Sequence, residues 1–103
     1  MAYKYIFDPI AADEYQDAFQ WYEERSKIAA DNLILAVQDA INAICADPYR
    51  YRNTYKSLRE LKIRKYPYQV IYLIDKKNKL IIIISLYHNK RHPKGKYNKP
   101  KKK

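Results

Sequence analysis

A chain of 103 residues has room for one domain around one modest core, and 48% hydrophobic residues suit a globular fold. Its formal net charge of +10 is segregated: residues 1–48 carry three Lys/Arg against nine Asp/Glu, residues 49–88 ten against two, and residues 89–103 eight against none. The single Cys45 excludes an internal disulfide, two histidines and one cysteine in unsuitable spacing exclude a zinc cluster, and Gly95 as the only glycine excludes a phosphate-cradling loop.

Residues 2–7 alternate and are rich in Tyr, Ile and Phe, the pattern of a first strand. Asp8-Pro9 follows as a helix cap with proline at the first helical position. Ala11, Tyr15, Ala18 and Tyr22, joined by Phe19, recur at helical spacing, so residues 9–25 are predicted as an amphipathic helix. Its polar side carries Asp13, Glu14, Asp17, Glu23 and Glu24, while Trp21 and Tyr22 read as packing residues. Ser26 caps a second helix whose buried stripe is Ala30, Leu33, Val37, Ile41 and Ile44; Asp47-Pro48 ends it. Cys45 falls within this apolar pattern and is expected to be a reduced core residue.

The period then changes. Between residues 58 and 64, Glu60, Lys62 and Arg64 alternate with Arg59, Leu61 and Ile63, placing the first three on one outward side of a strand. Pro67 breaks that strand, and residues 68–74 form the next. Tyr66, Tyr68 and Tyr72 read as one sheet face packed on the helices. Lys76-Lys77-Asn78 suits a hairpin turn, with Asn tolerating a left-handed backbone. Residues 79–88 form the most apolar strand, interior to the sheet, with His88 continuing the face of Leu80, Ile82, Ile84 and Leu86.

Beyond Asn89 lysine dominates, so the domain is drawn as residues 1–90 and residues 91–103 as a basic, mobile tail. Strand, two helices and a three-strand antiparallel meander imply an α+β domain with both helices on one sheet face. There is no signal-like apolar run at the N-terminus, and Leu80 to Ile84 is too short to span a bilayer. A cytoplasmic protein without membrane contact is therefore expected. Acidic first and basic second halves favour polyanions and acidic proteins as partners.

Several segments together resemble the RelE/ParE family of toxins from type II toxin–antitoxin pairs. They are Trp21-Tyr22-Glu23-Glu24-Arg25, Asp47-Pro48, the run from Lys65 through Tyr72, and His88-Asn89-Lys90-Arg91-His92-Pro93. The likeness spans about residues 3–93. It implies a toxin silenced by an antitoxin, here expected to be acidic, and working without a cofactor. RelE-like members cleave messenger RNA in the ribosome, whereas ParE-like members block DNA gyrase without a nuclease site.

The leading expectation is a toxin that inhibits translation by metal-independent cleavage of ribosome-bound messenger RNA, which needs a base, an acid and phosphate-stabilising cations. The resemblance marks Lys62 and Arg64 as catalytic cations and Tyr97 as a stacking or proton-transfer residue. Arg91 suits bidentate phosphate contact, and His88 titrates near neutrality. Two departures favour the alternative of a non-catalytic gyrase inhibitor. Gln69 stands where RelE-like nucleases carry an arginine, and Glu60 replaces a second lysine, serving either as a base or as a partner of Lys62. A degenerate antitoxin-binding module is the third reading.

Overall fold

The computed structural model describes residues 3–89. In chain order these form β1 (Lys4–Phe7), α1 (Pro9–Glu23), α2 (Lys27–Ala46), β2 (Arg52–Tyr55), β3 (Leu58–Lys62), β4 (Tyr68–Asp75) and β5 (Leu80–His88). The expected tail over residues 91–103 lies outside the described residues.

Local chemistry sets the helix ends as the sequence implies. The Asp8 carboxylate accepts from the Ile10 amide at 3.0 Å, with Pro9 opening α1 where a missing N–H is harmless. The Ser26 hydroxyl oxygen accepts from the Ala29 amide at 3.1 Å and starts α2. At the far end the Asp47 amide donates to Ala43 and Ile44 carbonyls, and buried Pro48 prevents continuation.

The sheet order is β1-β5-β4-β3-β2, with β1 parallel to β5 and every other pair antiparallel. This corrects the three-strand meander: the meander has four strands, and the sheet is mixed. The unforeseen strand, β2, is Arg-Asn-Thr-Tyr at the sheet edge, mostly exposed, so no apolar alternation announces it. The α+β class stands, with both helices on one face of the five strands.

Leu33, Val37, Ile41 and Ile44 of α2, Ala11 and Ala18 of α1, and Val70, Tyr72, Ile81 and Ile83 of the sheet share one core. Each large aliphatic side chain buried there contributes about 1.5–3 kcal/mol relative to exposure. Cys45 belongs to the same core, and burial pushes its thiol pKa up. With 20 residues and a mean hydropathy of 1.3, α2 has the length and composition of a membrane span. Its four large stripe residues are at most 2% exposed in this fold and serve the core, whereas Ile28, Ile34 and Leu35 on the same helix stay exposed.

A register break and a turn alter what the alternation implied. Ile71 pairs with Ser85 but Tyr72 with Ile83, so Ile84 is an extra residue in β5. The core side therefore runs Ile81, Ile83, then Leu86. His88 consequently shares a face with Ile81 and Ile83, not with Leu80 and Ile82. In the β4–β5 turn the Asp75 carboxylate accepts from both the backbone and side-chain amides of Asn78, and the left-handed residue is Lys79 (φ 53°), not Asn78. Lys56 and Lys65 adopt the same conformation in the other two hairpin turns.

Candidate functional site

The sheet face away from the helices is built from cross-strand rows. Lys62 lies opposite Gln69, and Gln69 opposite Tyr87; in the next row Glu60 lies opposite Ile71, and Ile71 opposite Ser85. Tyr68, Val70 and Tyr72 alternate with these and point into the core. Lys62 is therefore on the helix-free face as expected. Its ammonium donates to the Tyr66 carbonyl at 3.1 Å, which ties the end of β3 to the turn that follows.

Arg64 does not share that face. β3 ends at Lys62, and the Ile63 amide donates to Tyr68 while the backbone at Lys65 turns left-handed (φ 69°). The chain has left the strand plane before Arg64, which stands exposed in the turn. The alternation over 58–64 missed this because Ile63, though fully buried, closes the hairpin and is not in the strand itself.

His88 pairs with Tyr68, the two rings meeting edge-on with centroids 4.9 Å apart. Since Tyr68 belongs to the core, His88 projects to the helix side, opposite to Lys62. Glu60 is 7% exposed, and its carboxylate lies 4.0 Å from the Arg52 guanidinium across the β2–β3 pair. The ion pair thus comes from the strand that sequence reasoning missed. Arg91 and Tyr97 lie outside the described residues.

What the structure does assemble is a groove of about 630 Å³ between α2 and the β3–β4 turn. Arg64 and Lys65 form its basic side, Lys62 reaches its rim from the end of β3 where the Tyr66 carbonyl holds it, and Asp39 with Ala36, Ala40 and Ala43 of α2 lines the other side. The Tyr66 hydroxyl donates to the Ala29 carbonyl at 2.7 Å, while its ring meets Tyr22 edge-on at 5.2 Å. Burial and then the neighbouring Tyr22 raise its pKa. This geometry can bind an anionic partner. Among the described residues no group of three or more His, Cys, Asp or Glu is placed to hold a metal ion.

Two contacts were invisible in the sequence. The Glu14 carboxylate accepts from the Ser85 hydroxyl at 2.8 Å and from the Leu86 amide at 2.9 Å. β1 pairs with β5 only as far as Ile83, so beyond it this edge has lost its strand neighbour and Glu14 supplies the acceptor. Glu14 is thus a structural residue, not part of a solvated face. Trp21, expected to pack inside, is 42% exposed, with the Arg25 guanidinium 3.8 Å from its ring centroid.

A family model described as the ParE toxin of the type II toxin–antitoxin system parDE matches residues 5–93. No curated protein sequence matched the chain. Among solved structures, the chromosomal ParDE system of P. aeruginosa contains a chain with a TM-score of 0.71 at 11% identity, covering 84% of this chain and 96% of that one. The RelBE2 toxin–antitoxin complex of Mycobacterium tuberculosis gives 0.59 at 15% identity, covering 85% and 99%. A mutant of the E. coli RelE toxin in the free state gives 0.61 at 15%, covering 87% and 86%. These likenesses share the two-helix, mixed-sheet fold, and with the match across residues 5–93 they show that the chain belongs to the RelE/ParE family of type II toxins.

Proposed function

We propose that this toxin acts by binding without chemistry, with DNA gyrase as its target, and that an acidic antitoxin silences it. The observation that carries the reading is the separation of Lys62 from His88 on opposite faces of one sheet. A general acid and a phosphate-stabilising cation act on one phosphate only if both reach it at about 3 Å. Gln69 beside Lys62 supports the same reading, since a neutral amide stabilises a phosphorane less than a guanidinium. The basic side of the α2 groove supports an acidic antitoxin segment seated across the helical hairpin and the end of the sheet.

Purified toxin added to gyrase and relaxed plasmid tests the proposal. Supercoiling should stop at near-stoichiometric toxin, and ribosome-bound messenger RNA should stay intact in a parallel translation reaction. Unimpaired gyrase together with cut message, lost on Lys62→Ala or His88→Ala, would refute it. That result would restore ribosome-dependent cleavage by Lys62, Arg64, His88, Arg91 and Tyr97.

A further inference from the structure

The sheet has two basic ends. Lys62, Arg64, Lys65 and His88 lie at one, because β3 and β5 both finish there. The β2–β3 and β4–β5 turns lie at the other, and bring Lys56 together with the lysines at 76, 77 and 79. At this second end Tyr55-Lys56 closes β2, and Tyr49 comes close to it because Arg59, near the start of β3, lies 5.4 Å from its ring centroid.

Tyr49 is the centre of this surface. It is 50% exposed, yet its backbone is held from beneath. The Arg59 guanidinium donates to the Tyr49 carbonyl at 3.2 Å and the Tyr51 carbonyl at 2.7 Å, and lies 5.4 Å from the Tyr49 ring centroid. One residue earlier, the buried Tyr72 hydroxyl donates to the Pro48 carbonyl at 2.7 Å. Tyr3 is a neighbour of Tyr49, with burial and then the Tyr49 phenol raising the Tyr3 pKa, and Lys79 Nζ lies 5.3 Å from the Tyr3 ring centroid. An exposed aromatic ring thus stands beside the Arg59 cation on a backbone that Arg59 and Tyr72 hold, so little backbone freedom remains to be lost on binding.

Of the nearby acids, Asp75 accepts both Asn78 amides and Glu60 pairs with Arg52, while Asp47, whose backbone N–H caps α2, is the one close in sequence to Tyr49. Among the described residues Arg50, Lys56 and Lys79 are in no ion pair. A purely phosphate-binding or carboxylate-binding surface gains little from an exposed ring beside its cations. A single strand, whose base faces are open, gains from both ring and cations.

We propose that this end of the sheet binds single-stranded nucleic acid, with Tyr49 stacking on a base while Arg50, Lys56 and Lys79 neutralise phosphates. The site is separate from the α2 groove and does not depend on which machine the toxin arrests. Duplex, with its base faces hidden, binds more weakly.

The test is fluorescence anisotropy of the full-length protein with labelled oligothymidylate of about 12 nucleotides and with an abasic strand of equal length. Wild type should prefer the thymidylate about tenfold; Tyr49→Leu should lose that preference, and Tyr49→Phe should keep it. Arg50→Ala and Lys56→Ala should each lower the slope of log affinity against log salt by about 0.7. Should Tyr49→Leu fail to fold, the thymidylate-to-abasic ratio of wild type and the Arg50→Ala slope still decide. Equal binding of the two strands by wild type would overturn the proposal. So would displacement of the label by polyglutamate as effective as by thymidylate of equal charge, which would assign the surface to an acidic protein.

Discussion

Replacing Glu14 by alanine probes a contact that joins α1 to β5 across most of the chain. The carboxylate accepts two hydrogen bonds, from the Ser85 hydroxyl and from the Leu86 amide. They are not equivalent. The hydroxyl can rotate towards another acceptor, whereas the backbone N–H points along a sheet edge that β1 no longer covers. An unsatisfied buried donor costs about 1–3 kcal/mol, and bonds to a charged acceptor fall in the upper part of that range. Glu14→Ala should therefore destabilise by about 2–3 kcal/mol, and Ser85→Ala by about 1 kcal/mol, because only the second variant leaves Leu86 capped. Glu14→Gln keeps an oxygen acceptor and should fall between wild type and alanine. Urea unfolding should show the midpoint falling with unchanged m, and Tm should drop by roughly 4–8 °C per kcal/mol at this size. Hydrogen exchange adds a local readout, since Leu86 should lose protection in Glu14→Ala ahead of the core amides of β4. A Glu14→Ala variant within about 0.5 kcal/mol of wild type, or with Leu86 still protected, would show that the edge is capped by something else.

Three further outcomes follow from the same geometry. Tyr72→Phe should cost about 1–2 kcal/mol by urea unfolding, because the buried Pro48 carbonyl loses its donor. Burial pushes the Tyr72 pKa up to about 12, with the Arg59 charge opposing. The stability it contributes is complete below the ordinary value of about 10 and is lost as pH rises from there towards 12. In a spectroscopic titration of the folded protein, Tyr72→Phe should remove one tyrosine that ionises near pH 12. Asp75 has its pKa lowered by the side-chain and backbone amides of Asn78, so its contribution is present above the ordinary carboxyl value of about 4 and lost as pH falls through its folded value. Melting curves of wild type and Asp75→Ala should therefore differ near neutrality and converge in acid; a constant gap would sink the assignment. The Cys45 thiol, buried and raised in pKa, should react with a thiol-specific dye only at the rate of unfolding.

Much of this protein was legible without coordinates because its signals are local. Asp8-Pro9, Ser26 and Asp47-Pro48 bound the helices through contacts within a few residues, and the stripe from Ala30 to Ile44 has the period of a helix with one buried side. The resemblance of residues 3–93 to the RelE/ParE toxins was carried by short runs in the right order, and the family match over residues 5–93 agrees with it. Lys62 could be placed on the outward face for the same reason, since alternation over a few residues is a property of the strand alone.

The rest depended on partners far away in sequence. β2 exists because β3 offers it a ladder, not because Arg-Asn-Thr-Tyr favours a strand. Ile84 slips out of register in β5, and one extra residue reverses the phase of everything after it, which carries His88 to the core side and away from Lys62. Ile63 closes a hairpin and turns Arg64 out of the strand, while Glu14 leaves the solvated side of its helix to cap an edge that β1 abandons at Phe7. Periodicity is written residue by residue, so the sequence by itself determined the helices, the core stripe and the family. Register, bulges and edge caps depend on which backbone groups meet across the sheet, so only the tertiary structure decided which of the candidate residues face one another.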